Sequence, residues 1–293
     1  MGEAERNKRQ SAREQIAAQQ AAARRAESRR RMLIAGGSIV VVLAVVLVFI
    51  VIRLNSSTPA ASSTPVTGTA LPASVSNNVT DVPVSTLDAV GPGSILKQVS
   101  KPVTAITGAP LTQGGKPELL YIGAEYCPYC AAMRWAMATA LSRFGTLSPL
   151  RGIHSSPTDV YPSTATLTFY KSGYQSPYLA FTPVENETVS KAPLQATTPE
   201  QQAIWERYEP NDTGYPFMDF GNKYMITVIY NPQVLHGKTW AQIASALHDP
   251  SSPVAQSADG AANFITASIC KMTDDRPASV CSSPAVAAVS SHL

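Results

Sequence analysis

A CPYC tetrapeptide at residues 127–130 places two thiols on either side of a two-residue spacer. It follows an apolar run at 119–124 and precedes a stretch at 131–144 whose apolar residues recur at helical spacing. A helix that begins near Cys127 directs its free backbone N–H groups and the positive end of its dipole at that sulfur, which stabilises the thiolate. We therefore predict a redox-active pair, in which Cys127 attacks with a lowered pKa and Cys130 closes the disulfide.

The elements that must position this pair are predicted to be a buried strand and a helix. The strand covers 118–124, where the apolar residues are continuous rather than alternating. The helix of 131–144 is expected to end at Gly145 in a left-handed cap. Ile153 is then expected to lie in the next parallel strand, which a right-handed crossover would reach.

The CPYC pair has two further interpretations. One is a structural disulfide without exchange chemistry. The other is half of a zinc site, but the remaining cysteines, Cys270 and Cys281, are separated by ten residues and supply no second CxxC. The sequence indicates no metal site and no cofactor.

Glu125 lies two residues before Cys127. A carboxylate at this position can relay a proton during thiol exchange, or it can be solvated beside the start of the helix. The solvated interpretation is favoured, because a lone acid near a helix N-terminus is ordinary. Glu125 is kept as a candidate proton relay.

The N-terminal segment predicts a membrane anchor. Residues 1–31 form a basic arm with nine Lys and Arg against four Glu. Residues 32–53 are the predicted transmembrane helix, because the 21 residues from Met32 to Ile52 carry no charge and span a bilayer core at about 1.5 Å per residue. The positive arm is expected to stay in the cytoplasm, which places the rest of the chain outside. A cleaved signal peptide is the less favoured alternative.

The rest of the chain divides into a linker and one domain. Residues 54–84 are rich in Ser, Thr, Pro and Ala, which is typical of a flexible tether. Residues 85–293 are predicted to form an extracytoplasmic α/β domain. The arm carries a net +5, which leaves −2 for the rest of the +3 chain, so we expect no nucleic-acid partner.

The second half of this domain contains a hairpin pattern. Phe217–Phe220 and Lys223–Ile226 flank a Gly-Asn pair, which predicts two antiparallel strands joined by a tight turn. Further strands are predicted at 164–170 and 178–184, and helices at 199–208, 239–247 and 261–269.

The strand that ends in a CxxC, the helix after it and a later proline before a hairpin resemble the thioredoxin-like fold. A more specific similarity, to the DUF929 family of membrane-anchored thioredoxin-like proteins, lies in the run YIGAEYCPYCAAMRWAMATALSRFG, in YPFMDFGNKY and in a C-terminal pair of cysteines. The resemblance implies that Cys127 attacks, Cys130 resolves, and Pro216 is a cis-proline that faces them. Pro162 is the rival proline, but no hairpin follows it.

The resemblance also implies a modified fold. The 89-residue separation of Cys127 and Pro216 indicates an insertion between the CxxC helix and the cis-proline strand. The expected fold is therefore α/β and thioredoxin-like with this insertion, preceded by one transmembrane helix.

Pro128 and Tyr129 form the dipeptide seen in glutaredoxins. Tyr215 and Pro216, however, lack the threonine-valine lead-in of a glutathione-binding loop, and glutathione is not an expected partner outside the cytoplasm. Thioredoxin-like exchange is therefore ranked above glutaredoxin activity. The dipeptide does not fix the redox potential, which depends on how far the fold stabilises the Cys127 thiolate.

Cys270 and Cys281 are predicted to form a structural disulfide, because the exterior of the cell is oxidising. Closing a ring of this size stabilises a fold by about 3 kcal/mol in the loop-entropy model. A second redox pair that relays electrons to Cys127 is the alternative.

Two functional hypotheses follow. The first is a membrane-anchored thiol-disulfide oxidoreductase that exchanges disulfides with envelope or secreted proteins, recycled by a membrane thiol oxidase or reductase. The second is a non-enzymatic thioredoxin-like binding module of a membrane complex, in which the CPYC pair is a structural disulfide. Reactivity of the Cys127 thiol at neutral pH discriminates between them.

Overall fold

The computed structural model describes residues 67–209 and 214–293. The predicted basic arm, the predicted transmembrane helix of 32–53 and the first part of the predicted linker lie outside these residues. No helix within the described ranges has the length and apolar character needed to cross a bilayer.

The described residues form a mixed α/β structure. Its strands are β1 (Thr69–Ala70), β2 (Thr104–Ala105), β3 (Thr112–Gln113), β4 (Lys116–Gly123), β5 (Thr146–Ser148), β6 (Arg151–His154), β7 (Ala165–Thr168), β8 (Gly173–Gln175), β9 (Ala180–Glu185), β10 (Phe217–Phe220) and β11 (Tyr224–Ile226). Its α-helices are α1 (Ala73–Thr80), α2 (Val84–Val90), α3 (Ile95–Gln98), α4 (Pro128–Ser142), α5 (Pro199–Tyr208), α6 (Trp240–Ala246), α7 (Pro253–Met272), α8 (Ala278–Cys281) and α9 (Pro284–Val289). Short 3₁₀ turns occupy Pro232–Leu235 and Ser290–His292.

The central sheet has β4 in its middle. β9 runs parallel to β4, with Glu185 opposite Gly123. β10 runs antiparallel on the other side, with Phe217 opposite Ile122, and then β11 and β2 follow outward. β3 pairs with the start of β4. The predicted hairpin is confirmed, because β10 and β11 are antiparallel neighbours joined across the Gly-Asn turn.

Helices cover both faces of this sheet, so β4 is buried along most of its length. Leu119 and Tyr121 point to the main core, which α4 and α7 also line. Leu120 and Ile122 point to the opposite face and pack with Trp205 of α5. The continuous apolar run predicted a strand of this kind, because a strand covered on both faces has no polar side.

The next parallel strand is not where the sequence analysis placed it. Ile153 lies in β6, which pairs antiparallel with β7 and β1 in a separate sheet. The strand parallel to β4 is β9, and β5 to β8 lie between α4 and β9 in the chain. β6 and β7 follow each other closely, and antiparallel neighbours need no crossover, so this pairing is satisfied locally.

The folded unit begins before residue 85, the predicted boundary. β1 pairs with β6, and α1 buries Val75 and Val79, the latter with 0% exposure. The two valines are four residues apart and share one helix face. The Ser- and Asn-rich composition of this segment conceals that face, so the predicted linker of 54–84 needs correction from residue 69 onward.

Two further predictions need smaller corrections. Gly145 does not adopt a left-handed conformation; it instead allows the backbone of Gln175 to approach closely, and a Cβ there would overlap the Gln175 carbonyl oxygen. The helix predicted at 261–269 is the middle of the longer α7, and α8 and α9 follow it.

Candidate active site

Cys127 is the N-cap residue of α4, the position that receives the free N–H groups of a helix. Its Sγ accepts a hydrogen bond from the backbone N–H of Cys130 at 3.3 Å. Pro128 occupies the first turn, where its missing N–H removes no helical hydrogen bond. Both cysteines are free thiols. The strand-turn-helix context predicted for the CPYC pair is therefore present.

The Tyr215–Pro216 peptide lies against the Cys127 sulfur. The Cys127 thiol is 3.7 Å from the carbonyl oxygen of Tyr215, to which it donates. The Tyr215–Pro216 bond is cis, whereas the bond before Pro162 is not. The Tyr215 ring stacks on Trp205 with centroids 5.2 Å apart, so α5 holds this peptide in place.

The two thiols differ in their burial and in the direction of their pKa shifts. Cys127 is 6% exposed and Cys130 is 0% exposed. A hydrogen bond from the Cys130 thiol lowers the pKa of Cys127, against the opposing effect of burial, and the Cys130 backbone N–H and the charge of Arg134 lower it further. Burial raises the pKa of Cys130 well above its ordinary value. Cys127 is thus the more easily ionised thiol.

An aromatic depression of about 320 Å³ opens over Cys127. The rings of Tyr126 and Tyr215 form an edge-to-face pair, and Tyr129 forms another with Tyr161. Tyr129 is among the exposed large apolar side chains of the described residues. The lining residues are Tyr126, Cys127, Pro128, Tyr129, Asp159, Gly214 and Tyr215.

A buried ion pair lies behind the cysteines. Arg134 donates from Nε to Glu185 Oε1 at 2.8 Å and from Nη2 to Glu185 Oε2 at 2.6 Å. The same Nη2 donates to the carbonyl of Ala124 at 2.8 Å. Both charged side chains have 0% exposure. The pair connects α4 to the ends of β9 and β4, and so fixes the helix that carries the cysteines.

Glu125 belongs to this buried region, which corrects the favoured solvated interpretation. It is 1% exposed, and its Oε1 accepts a hydrogen bond from Thr168 Oγ1 at 2.7 Å. Burial raises the pKa of the Glu125 carboxyl. The side chain also lines a cleft of about 550 Å³ between the 156–158 and 188–191 loops. The backbone N–H of Glu125 donates to the carbonyl oxygen of Glu187 at 2.8 Å.

Cys270 and Cys281 form a disulfide that connects α7 to α8. Cys270 is fully buried. The bond therefore links the C-terminal helices to the main core rather than to the depression over Cys127.

Arg134 and Glu185 are the site residues that the sequence analysis missed. A signal for Arg134 existed, because it is a lone cation in an apolar helix, four residues after Cys130. A buried cation requires an anionic partner. Glu185, at the end of the β9 run, could not be identified as that partner before the parallel pairing of β4 and β9 was known.

The described residues contain no group of three or more His, Cys, Asp or Glu side chains that could hold a metal ion. They define a mixed α/β domain with a free CxxC pair at a helix N-terminus.

Residues 102–271 match the family model described as a domain of unknown function, DUF929. This match covers more than half of the 293 residues, so the chain belongs to the DUF929 family. No curated protein and no solved structure matched the chain.

Proposed function

We propose that this protein is a thiol-disulfide oxidoreductase that exchanges disulfides with envelope or secreted proteins through Cys127 and Cys130. The observation that carries the proposal is the state of the Cys127 sulfur. It is a free thiol at the N-terminus of α4, and it accepts the Cys130 N–H at 3.3 Å. These contacts favour the thiolate, which is the nucleophile in disulfide exchange.

A thioredoxin-like fold is part of the proposal. The parallel β4 and β9, the antiparallel β10 and β11 and the helices on both faces agree with such a core. The cis peptide before Pro216 lies beside Cys127, which supports this part of the proposal. β5 to β8 would then form the insertion between the CxxC helix and the cis-proline strand.

The exchange conserves atoms and electrons. The Cys127 thiolate attacks one sulfur of a substrate disulfide, and the other substrate sulfur leaves as a thiolate and takes a proton. Cys130 then loses its proton and attacks Cys127, which forms the Cys127–Cys130 disulfide and releases the second substrate thiolate. Two electrons pass to the substrate. The reverse sequence oxidises a substrate dithiol when the protein begins as the disulfide.

Glu125 is proposed as the proton relay of this exchange. Its carboxyl is buried, its pKa is raised by that burial, and it lines a cleft that opens to the surface. A carboxyl with a raised pKa gives and takes protons nearer neutral pH than an ordinary one. Glu125→Gln removes that capacity and keeps the acceptor oxygen for Thr168, so exchange should slow without loss of the fold.

The proposal includes a membrane anchor at 32–53, with the basic arm of 1–31 in the cytoplasm and the catalytic domain outside. It rests on the uncharged run and its positive flank. A membrane thiol oxidase or reductase would recycle the cysteine pair. Alkaline phosphatase fused after residue 293 should be active, and the full chain should remain in carbonate-washed membranes. An inactive fusion, or release of the chain by carbonate, contradicts the anchor.

Insulin reduction with dithiothreitol tests the catalytic proposal. Cys127→Ser and Cys130→Ser should each reduce the rate to the uncatalysed level, whereas Cys270→Ser with Cys281→Ser should retain activity if the fold persists. Cys130→Ala should also accumulate mixed disulfides with its substrates, which identifies them by mass spectrometry. Full activity in Cys127→Ser contradicts the proposal and favours a non-enzymatic binding module.

A further inference from the structure

We propose that the guanidinium of Arg134 stabilises the Cys130 thiolate during resolution of the mixed disulfide. Arg134 is thus a positioning residue. It acts through Cys130, because its positive charge lies one helical turn from that side chain. This inference rests on the proposed exchange function and assigns a role to a residue outside the CPYC motif.

The first observation is the place of Arg134 on the helix. It is four residues after Cys130 on α4, so the two side chains lie on the same helix face, one turn apart. Both residues have 0% exposure. Water does not screen a charge at such a position as it does at the surface, so the guanidinium acts strongly on a sulfur nearby.

The second observation is an incomplete set of hydrogen bonds. Arg134 uses Nε and Nη2 for Glu185 and the Ala124 carbonyl. Its Nη1 is buried and has no hydrogen-bond partner among the described residues. A buried donor without a partner is unfavourable. A thiolate that forms nearby during the reaction offsets part of this cost. Arg134 therefore stabilises the Cys130 thiolate more than it stabilises the thiol.

The third observation is the sign of the charges around Cys130. Its titratable neighbours are Cys127, Tyr121, Tyr126, Tyr215 and Arg134, with Glu185 behind Arg134. Arg134 is the cation in this set, and each of the others is neutral or anionic. Burial by itself opposes ionisation of Cys130. Resolution nevertheless requires the Cys130 thiolate. Arg134 is the charged group that favours it, beside a backbone hydrogen bond at Ala124.

The proton and electron balance of the step is that of ordinary resolution. The Cys130 thiol gives up its proton through the Glu125 relay proposed above, and the resulting thiolate attacks Cys127 Sγ. The S–S bond between Cys127 and the substrate breaks, and the substrate sulfur leaves with the electron pair. Arg134 remains charged throughout, so it exchanges no proton.

The test follows both thiols in one experiment with the full chain. The reduced protein is mixed with 5,5′-dithiobis(2-nitrobenzoate), and the released thionitrobenzoate is recorded by stopped-flow absorbance between pH 5 and 10. A first phase reports attack by Cys127. A second phase reports resolution by Cys130, and the pH midpoint of its rate reports the ionisation of that thiol in the mixed disulfide.

Variants with opposite expected effects on the pH midpoint distinguish an effect of charge from an effect on structure. Arg134→Met with Glu185→Met removes both charges and leaves none unpaired, and it should slow the second phase at pH 7 by about tenfold, equivalent to one pKa unit. Glu185→Gln leaves the charge of Arg134 uncompensated. It should lower the pH midpoint of the second phase, whereas the double variant should raise it. Arg134→Lys retains the charge and should lie closer to the wild type than the double variant does. Circular dichroism verifies that each variant is folded.

The outcomes distinguish the two proposals. A wild-type protein without a first phase overturns the exchange function and this inference with it. A normal first phase followed by a second phase with the same pH midpoint in every variant overturns only the role of Arg134. The same conclusion follows if the double variant and Glu185→Gln shift the midpoint in the same direction. Opposite shifts support the inference.

Discussion

The two cysteines of the CPYC pair differ because the fold gives their sulfurs different surroundings. Cys127 caps α4 and reaches the depression lined by Tyr126 and Tyr129. Cys130, one turn further, has 0% exposure. The first thiol can therefore meet a large substrate, whereas the second can meet only the sulfur beside it. This asymmetry is what ordered exchange requires.

The first prediction concerns the hydrogen bond from Cys130 to Cys127. Cys130→Ala removes the thiol that does most to lower the pKa of Cys127, so that pKa should rise and alkylation at pH 7 should slow. Cys130→Ser keeps a hydroxyl donor and should retain more of the effect. We expect Cys130→Ala to react about three- to tenfold more slowly than Cys130→Ser, which corresponds to about 0.5 to 1 pKa unit. Iodoacetamide labelling as a function of pH measures both rates.

The control for this prediction is Cys270→Ser with Cys281→Ser, which leaves Cys127 and its neighbours unchanged. Neither cysteine of the α7–α8 disulfide is among the groups that shift the Cys127 pKa, so its removal should leave the labelling rate of Cys127 the same. Equal rates for Cys130→Ala and Cys130→Ser would mean that the side chain at 130 does not stabilise the Cys127 thiolate.

At the scale of elements, the β10–β11 hairpin follows directly after Pro216 and contains a buried acid. Asp219 lies in β10 opposite Leu120 of β4 and has 0% exposure. Its Oδ1 accepts the Asn222 N–H at 2.6 Å, which stabilises the turn, while Oδ2 has no partner within the described ranges. Burial raises the pKa of Asp219 to about 7.

The second prediction is that Asp219 makes the stability of the fold depend on pH. The unfolded carboxyl loses its proton near pH 4, whereas the folded one keeps it to about pH 7. Between these values the folded state binds more protons, so the free energy of unfolding should fall as pH rises and level off above pH 7. Asp219→Asn cannot titrate, so its stability relative to the wild type should increase by about 2–4 kcal/mol from pH 4 to pH 8.

Urea unfolding at a series of pH values measures this difference. Asp274→Asn is the matched control, because Asp274 is an exposed acid whose side chain is 78% accessible. It should follow the wild-type pH dependence. If Asp219→Asn also follows the wild-type curve, the carboxyl of Asp219 titrates normally in the folded protein.

At the scale of the whole molecule, the C-terminal helices close the core around α7. This helix is buried along nearly its whole length and packs beside α4, the helix that carries the CPYC cysteines. The Cys270–Cys281 disulfide ties the following chain to it. We therefore expect the disulfide to stabilise the domain and to leave the Cys127 thiol unaffected.

The third prediction tests this separation of roles. Cys270→Ser with Cys281→Ser should lower the free energy of unfolding by about 3 kcal/mol, because the unfolded chain regains the entropy of an open loop. Single-turnover oxidation and re-reduction of Cys127 and Cys130 should both keep their wild-type rates. Denaturation under non-reducing conditions and rapid-quench labelling make the two measurements. A wild-type stability with slower re-reduction of Cys127 would instead indicate a redox relay.

Local patterns predicted the parts of this protein that depend on neighbours in sequence. The CPYC spacing, the apolar run of β4 and the Gly-Asn turn each predicted a local element that the structure contains. Capping groups, helix faces and tight turns are properties of a few consecutive residues. They can therefore be predicted without knowledge of the tertiary contacts.

Tertiary structure decided which of these elements meet. The sequence placed Ile153 beside β4 and Glu125 in solvent, and both placements were wrong because strand pairing and burial depend on residues far apart in the chain. The contact between Arg134 and Glu185, which are 51 residues apart, depends on the parallel pairing of β9 with β4. The CPYC motif thus determined which two sulfurs lie together at a helix N-terminus, and the packing around α4 determined which charged groups lie behind them.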